Sequence, residues 1–482
     1  MPRPASFSSP ILMIRLASLF ALALLLAGPA VAQDFPSTPP EPGEPQPFEI
    51  PEGETFTLDN GIDVTLVPYG ALPKANVLAV VRVGNVDETA GENSLADLLM
   101  DLLQEGTTSM SAEEIAEAAA SMGGSISSSA GLDQASVGGR VLAEFVPDFV
   151  RLTADVLQNP AFPADGLERA RRNRLRGAAI ARSQPGTLAL AAFRRAVYGP
   201  DHPYTSVILP VAADIEAATV EDVQDFYRAN VGPARTRIYV VGQFDEAATE
   251  AAIRDAFGSW DAPAMAADPT PPTASVGRQV VLVDQPGAAQ SNVIVGIPTI
   301  DPAAEAQEVV ELQVTNALLG GSFGSRITRN IREDKGYTYS PGSSVSSRFR
   351  DAYWAETAAI VTESTGPAIT EIFNEIDRLA TEAPTEEELE GIQNYLAGNF
   401  VLQNSSAGGI AGFLAFLDLH GIDRDYLENY VERVYDVTPE DVRETTAERL
   451  SAGDMTIVVV GDRGVVEGQL GEFGEVDVQT LD

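Results

Sequence analysis

The chain of 482 residues contains no cysteine, only two histidines, and 31 lysine and arginine residues against 70 aspartate and glutamate residues. Without cysteine, disulfide bonds, thiolate metal sites and a cysteine nucleophile are all excluded. Two isolated histidines cannot form a catalytic zinc site unless carboxylates supply the remaining ligands. The net charge of −39 argues against binding to nucleic acid or to an anionic lipid surface. What remains is a 44% hydrophobic fraction, which is enough to build packed cores.

The apolar run near the N-terminus, residues 16–27, is also short: it has twelve residues, whereas a helix that spans a bilayer needs about 20. Two arginines, Arg3 and Arg15, precede it, and the small-residue pattern Ala30-Val31-Ala32 follows. This pattern predicts a signal peptide over residues 1–32, cleaved near Ala32, and a periplasmic or otherwise exported mature protein. A membrane anchor is the alternative. Removal of the signal, with its two arginines and no acids, changes the net charge to −41.

Two proline-containing stretches divide the rest of the chain, and a repeat connects its halves. We predict a linker at 33–51, an N-terminal domain at 52–260, a second linker at 261–275, a C-terminal domain at 276–467 and an acidic tail at 468–482. Thr219 and Asp222 recur as Thr438 and Asp441, and the strand ending at Gly242 recurs as the strand ending at Gly461, both at an offset of 219 residues. Two matches at one offset indicate duplication.

Each half places strands first, then helices, then a closing strand, which predicts an α+β fold with two homologous domains. Each domain should contain a mixed, largely antiparallel sheet with helices packed on one face.

Residues 91–107, GENSLADLLMDLLQEGT, resemble the active-site helix of the insulinase/pitrilysin peptidases. In that family the inverted zinc motif H-x-x-E-H follows a Leu-Ala pair and precedes a Gly-Thr pair, with two histidines as ligands and the glutamate as general base. Here the frame begins at Asp97 and ends at Asp101, so both histidine positions hold aspartate, and Met100 replaces the base. By this resemblance the chain has a degenerate zinc site and no metal or other cofactor of its own.

The family's third ligand, a glutamate, would fall near residues 176–178. Between 169 and 200 the chain has no acid and eight arginines, which would repel a metal ion. Weak binding of calcium or magnesium by Asp97 and Asp101 remains an alternative to simple solvation. His202 in a turn and His420 at a helix C-terminus have structural explanations, the latter as an imidazolium beside the helix dipole.

The second half retains a longer match. Residues 318–326 and 330–340 are similar to the family's pattern L-G-G … S-R followed by L-R-E-x-x-G-x-x-Y-S. The resemblance assigns Arg332 and Tyr339 to the pair that, in active relatives, contacts the zinc-bound substrate. Arg332 would then donate to a peptide carbonyl and Tyr339 to the developing oxyanion. The alternative is that Arg332 only braces a helix end and Tyr339 only packs a strand.

Some bacterial members of this family are heterodimers, with zinc in one subunit and the Arg/Tyr pair in the other. The resemblance therefore implies the non-zinc subunit of a metallopeptidase, which completes the H-x-x-E-H site of a zinc-bearing partner and acts on peptides. Ser127 and Ser128, in the matching edge hairpin, would contribute to peptide binding. Two alternatives are a catalytically inactive structural or peptide-binding member and an independent peptidase with a rearranged metal site.

Overall fold

The computed structural model describes residues 53–89, 91–200, 202–262 and 277–479. The predicted signal peptide, the first linker and the second linker beyond residue 262 lie outside these residues. Both halves belong to one compact unit.

The first half contains a six-stranded sheet whose strand order is β1-β2-β6-β3-β5-β4. Its strands are β1 (Glu54–Thr57), β2 (Asp63–Pro68), β3 (Lys74–Val81), β4 (Ser127–Ala130), β5 (Ala135–Leu142) and β6 (Thr236–Gly242). Only β2 and β6 pair in parallel; the other neighbours are antiparallel. A turn with Gly61 at φ 91° separates β1 from β2, as the Asn-Gly pair at 60–61 predicts.

The second half repeats this arrangement in the order β12-β7-β11-β8-β10-β9. Its strands are β7 (Gln279–Asp284), β8 (Gln290–Thr299), β9 (Gly342–Arg348), β10 (Asp351–Val361), β11 (Thr456–Gly461) and β12 (Val476–Gln479). The five strands β7-β11-β8-β10-β9 correspond one to one with β2-β6-β3-β5-β4, including the parallel pair. The mixed, largely antiparallel sheets and their duplication are therefore confirmed.

Helices follow the same division. Those of the first half are α1 (Leu95–Leu103), α2 (Ala112–Ser121), α3 (Val146–Gln158), α4 (Ala164–Ser183), α5 (Pro185–Tyr198), α6 (Pro203–Ser206), α7 (Ala212–Ala217), α8 (Val220–Asn230) and α9 (Glu246–Phe257). Those of the second half are α10 (Ala306–Asn316), α11 (Arg326–Thr328), α12 (Thr365–Thr381), α13 (Glu386–Asn404), α14 (Ala407–His420), α15 (Asp425–Glu428), α16 (Tyr430–Asp436), α17 (Pro439–Arg449) and α18 (Arg463–Leu470). Two π-helical turns, Ala317–Gly321 and Arg329–Asp334, continue α10 and α11.

Each half's own helices cover one face of its sheet, as the sequence predicts, and form one apolar core per half. The opposite face takes a helix from the other half, which the sequence does not predict. Helix α5 packs on the second sheet, and α14 packs on the first. Gly296 in β8 admits this contact, because a Cβ there would lie 2.7 Å from Phe193 Cζ. The exchange joins the halves through apolar burial rather than through the linker alone.

The predicted acidic tail at 468–482 requires a correction. Helix α18 crosses its start, and β12 pairs in parallel with β7 at the sheet edge. Val476 and Val478 pack against the second core, so these apolar residues place the segment in the domain despite its acidic composition. The remaining domain boundaries stay predictions.

No single helix of the described ranges is long and apolar enough to cross a membrane, although α13 and α14 together have the composition and meet at a 105° bend.

Candidate functional site: a filled metal position and an exposed Arg/Tyr pair

Helix α1 carries the positions of the degenerate zinc motif. Leucines at 95, 98, 99 and 102 recur at helical spacing and lie in the first core. The carboxylate of Glu88 accepts hydrogen bonds from the backbone N–H groups of Ser94 (3.1 Å) and Ala96 (3.0 Å), where the helix begins. Met100 is 1% exposed and belongs to the core. It therefore has a packing role in place of a base.

Asp97 and Asp101, one turn apart on α1, both bind the guanidinium of Arg174 from α4. Asp101 accepts two hydrogen bonds, from Nε at 2.7 Å and Nη2 at 2.8 Å, and Asp97 Oδ1 accepts one from Nη1 at 2.9 Å. Such paired contacts suit the planar fork of arginine. The position that corresponds to the zinc motif of the family thus holds a cation of the chain itself.

Zinc does not fit these residues. Two carboxylates already occupied by one guanidinium leave no third ligand, and no group of three or more His, Cys, Asp or Glu in the described ranges could hold a metal ion.

Burial shifts the pKa values of two acids at the start of α1, Glu88 and Asp97. It raises the pKa of Glu88 to about 7, although the Ala96 N–H and the Asn85 amide oppose the shift. Burial also raises the pKa of Asp97, against the opposing charge of Arg174. Asn85 connects the two acids, because its amide donates to Glu88 at 3.0 Å and to Asp97 at 3.1 Å. The acids, the amide and the arginine form one internal polar network.

The serines proposed for peptide binding lie on β4, at the edge of the first sheet. The Ser128 hydroxyl donates to the backbone carbonyl of Met100 in α1, and the Ser127 hydroxyl donates to Gly138 O at 3.4 Å. Their side chains are thus engaged within the chain. What this strand offers to a ligand is its backbone edge, since β4 pairs only with β5 in the described part of the chain.

Arg332 and Tyr339 lie together at the surface of the second half. Arg332 belongs to the Arg329–Asp334 turn, and Tyr339 follows Thr338, which forms a bridge with Ile360 of β10. The guanidinium carbon of Arg332 is 5.2 Å from the centre of the Tyr339 ring. Tyr339 is 79% exposed. Across the described ranges, neither the guanidinium nor the hydroxyl makes a hydrogen bond or an ion pair.

Phe323 is a third member of this surface that the sequence reasoning missed. Its ring centre lies 4.4 Å from the Arg332 guanidinium carbon, and the side chain is 70% exposed. The sequence signal for this residue is an aromatic side chain inside the glycine-rich run 320–324. We call Phe323, Arg332 and Tyr339 the aromatic–arginine surface.

The two histidines belong to neither the Arg174 network nor the aromatic–arginine surface. His202 is buried; its Nδ1 accepts a hydrogen bond from Tyr204 N at 3.0 Å, and its ring stacks on Tyr198. The imidazolium predicted for His420 is wrong, although the residue does end α14, because burial lowers the pKa of His420 to about 4. Desolvation outweighs the helix dipole there.

Comparison with known families matches two stretches of the chain to domains of one peptidase family. A family model described as Insulinase (Peptidase family M16) matches residues 71–201, and one described as Peptidase M16 inactive domain matches residues 217–396. Together these models match well over half of the chain.

Relatives match over most of their length. An uncharacterized zinc protease of Mycobacterium bovis is 26% identical over 400 residues, which cover 82% of this chain and 90% of the relative. An uncharacterized zinc protease of Bacillus subtilis is 23% identical over 358 residues, which cover 73% of this chain and 84% of the relative.

Solved structures show the same fold. A protease from Helicobacter pylori gives a TM-score of 0.79 at 19% identity, covering 86% of this chain and all of that structure. A peptidase M16 inactive domain from Pseudomonas fluorescens gives a TM-score of 0.77 at 23% identity, covering 85% of this chain and 98% of that structure. These structures confirm the predicted fold class.

Proposed function

Because the chain belongs to peptidase family M16, the insulinase family, we propose that it is the zinc-free subunit of a heterodimeric peptidase. A homologous partner with an intact H-x-x-E-H motif would carry the zinc. This chain would add Arg332 and Tyr339 to the partner's site, and the complex would cleave peptides. We further propose that the mature protein is exported to the periplasm after loss of residues 1–32.

One observation carries this proposal: within the described ranges, the guanidinium of Arg332 and the hydroxyl of Tyr339 have no hydrogen-bond or ion-pair partner. If Arg332 braced a helix end, its donors would be hydrogen-bonded; if Tyr339 packed a strand, its ring would be buried. Instead the ring is 79% exposed, and Arg332 contacts only aromatic faces, which leave its N–H donors available. Polar groups kept free in this way suit a ligand that comes from outside the chain.

The chemistry of the pair fits a peptide. Arginine donates through a rigid fork that a carbonyl oxygen can accept, and a tyrosine hydroxyl can donate to an oxygen that gains negative charge. Both groups act by binding and orienting, which requires neither a base nor a metal in this chain. Arg174, at the degenerate motif, is already bound to Asp97 and Asp101, so the isolated chain should not hydrolyse peptides.

The test is co-expression with an H-x-x-E-H relative from the same source, scored by complex formation, zinc content and peptide hydrolysis. We expect Arg332→Ala and Tyr339→Phe to lower kcat by about 10²–10³, the loss typical of one oxyanion donor. Arg449→Ala and Tyr395→Phe are matched controls from the same half. Arg449 pairs with Glu308, and Tyr395 is 45% exposed.

Unchanged hydrolysis in both Arg332 and Tyr339 variants would refute the composite site. Zinc-dependent cleavage by the isolated chain would refute the proposal that the zinc and the Arg/Tyr pair lie in different subunits.

A peptide-binding role without catalysis is the second candidate, and the open backbone edge of β4 favours it. In that case the isolated chain would bind peptides with the same affinity in the wild type and in Arg332→Ala. A proline in place of Ser129 would weaken binding, because Ser129 lies in the edge strand and proline disrupts strand addition.

A further inference from the structure

Glu356 is a buried acid that the proposed reaction does not use. It lies on β10 and is 1% exposed, on the strand face that also carries Trp354, Ala358 and Ile360 of the second core. Burial raises the pKa of Glu356 well above its usual value, and only the backbone N–H of Gly342 acts in the opposite direction. Neither carboxyl oxygen makes a hydrogen bond of ordinary geometry within the described ranges. Burial therefore favours the uncharged form of this acid in the folded chain.

No charged group balances the acid. Among the described residues, neither a charged nor another titratable side chain of β8, β9, α10 or the Ala317–Gly321 turn contributes to the pKa of Glu356. A carboxylate at this depth would have no counterion, and a buried charge of this kind is strongly unfavourable. Loss of the proton must therefore be accompanied by local opening of the structure.

The acid packs directly against Gly320, the first glycine of the family motif. A Cβ on Gly320 would lie 2.4 Å from Glu356 Oε2 and 2.5 Å from Ser343 Oγ. Ser343 Oγ donates to Asn316 Oδ1 at 2.7 Å, and Trp354 Nε1 donates to the same oxygen at 2.9 Å. These five residues, which we call the Glu356 cluster, hold β9 and β10 against the Ala317–Gly321 turn.

That turn leads within two residues to Phe323, whose ring lies over Arg332. It also packs against α11, from which the Arg329–Asp334 turn continues. On the basis of the proposed function, we propose that Glu356 is a positioning residue that fixes the Ala317–Gly321 turn and, through it, Phe323 over Arg332. Ionisation of Glu356 then loosens the turn and displaces the aromatic–arginine surface.

The substitution Glu356→Gln tests this in the isolated chain, because glutamine keeps the shape of the acid but cannot ionise. Trp260 and Trp354 are the two tryptophans of the chain, so in a Trp260→Phe background the fluorescence of Trp354 reports the cluster. We expect this signal to change as the pH rises with glutamate and to stay constant with glutamine.

Hydrogen exchange of peptides from 317–334 gives a second readout. Relative to Glu356→Gln at the same pH, exchange with glutamate should accelerate by up to about tenfold per pH unit between the ordinary pKa of an exposed glutamate and the raised pKa of the folded chain, because opening is coupled to loss of one proton. Glu88→Gln, at the buried acid of the other half, is the matched control and should leave exchange of 317–334 unchanged.

Equal fluorescence and exchange in Glu356→Gln and wild type at every pH would overturn the proposal. Glu356→Met, uncharged and of similar length, covers the case in which glutamine does not fold, and it should abolish the pH-dependent change equally. These measurements need no partner. Unchanged hydrolysis in both Arg332→Ala and Tyr339→Phe would therefore reject the proposed function, while retained pH dependence in Glu356→Gln would reject only the positioning role.

Discussion

Replacement of Arg174 by methionine should destabilise the first half, because methionine keeps most of the apolar stem but removes the cation between Asp97 and Asp101. The guanidinium makes three charged hydrogen bonds to these acids. Breaking a fully buried pair costs about 3–5 kcal/mol. Here Arg174 is 33% exposed, and the two aspartates are 20% and 32% exposed. Solvent screening therefore reduces the expected loss to about 2 kcal/mol.

Urea unfolding followed by circular dichroism at pH 8 measures this loss. Arg172→Met is the matched control: Arg172 is exposed on the same helix and has no carboxylate partner in the described ranges, so it should change the unfolding free energy by less than about 0.5 kcal/mol.

Two further results separate charge from packing. Arg174→Met combined with Asp97→Asn and Asp101→Asn should recover most of the loss, because no unpaired charge remains. The single variant should also approach the wild type at pH values low enough to protonate the aspartates. If Arg174→Met at pH 8 stays within about 0.5 kcal/mol of the wild type, the network is solvated and contributes no cross-link.

Two predictions concern pH. Because burial raises the pKa of Glu88 from 4.5 to about 7, the folded state loses stability as the pH rises through this interval, by up to about 3 kcal/mol. Glu88→Gln should flatten that dependence in urea unfolding at pH 5 and pH 8, and an unaltered slope would contradict the assignment. For His420 the sign is opposite: its folded-state pKa of about 4 lies below the usual 6.5, so stability falls as the pH drops from 6.5 towards 4. Imidazole NMR should show neither His202 nor His420 half-protonated at pH 6.5, since burial lowers the pKa of both.

The sequence predicts the duplication because its signals are local. Thr219 and Thr438 each accept a hydrogen bond from the third residue of the following helix, and Asp222 and Asp441 bind back to the threonine N–H at 2.8 Å. Such a cap depends on four consecutive residues, so it can be recognised without the fold. The two family motifs could be recognised for the same reason, because each is a contiguous run of residues. The family models confirm the membership inferred from them.

The contacts that the sequence does not reveal are those between distant segments. Arg174 meets Asp97 across 77 residues, and the sequence shows only that an arginine run excludes a metal, not that it supplies the counterion. Helices α5 and α14 are apolar enough to be buried, but their composition does not say which sheet they cover. Burial of His420 follows from tertiary packing, so its charge could not be judged from its position at a helix end.

The two halves share a duplicated fold but differ in how each surrounds its key arginine. At the position where the family resemblance places the zinc motif, Arg174 links α1 and α4 with hydrogen bonds of 2.7 to 2.9 Å. The cross-link therefore does not depend on metal, and the first half can keep its fold without catalysis. In the second half Arg332 has aromatic neighbours, and no acid of the described ranges pairs with it. In a chain with 70 acidic residues, an arginine without an acidic partner in these ranges supports the proposal that Arg332 serves an outside ligand, and the contrast with Arg174 is the physical reason to seek the other half of the proposed site in a partner.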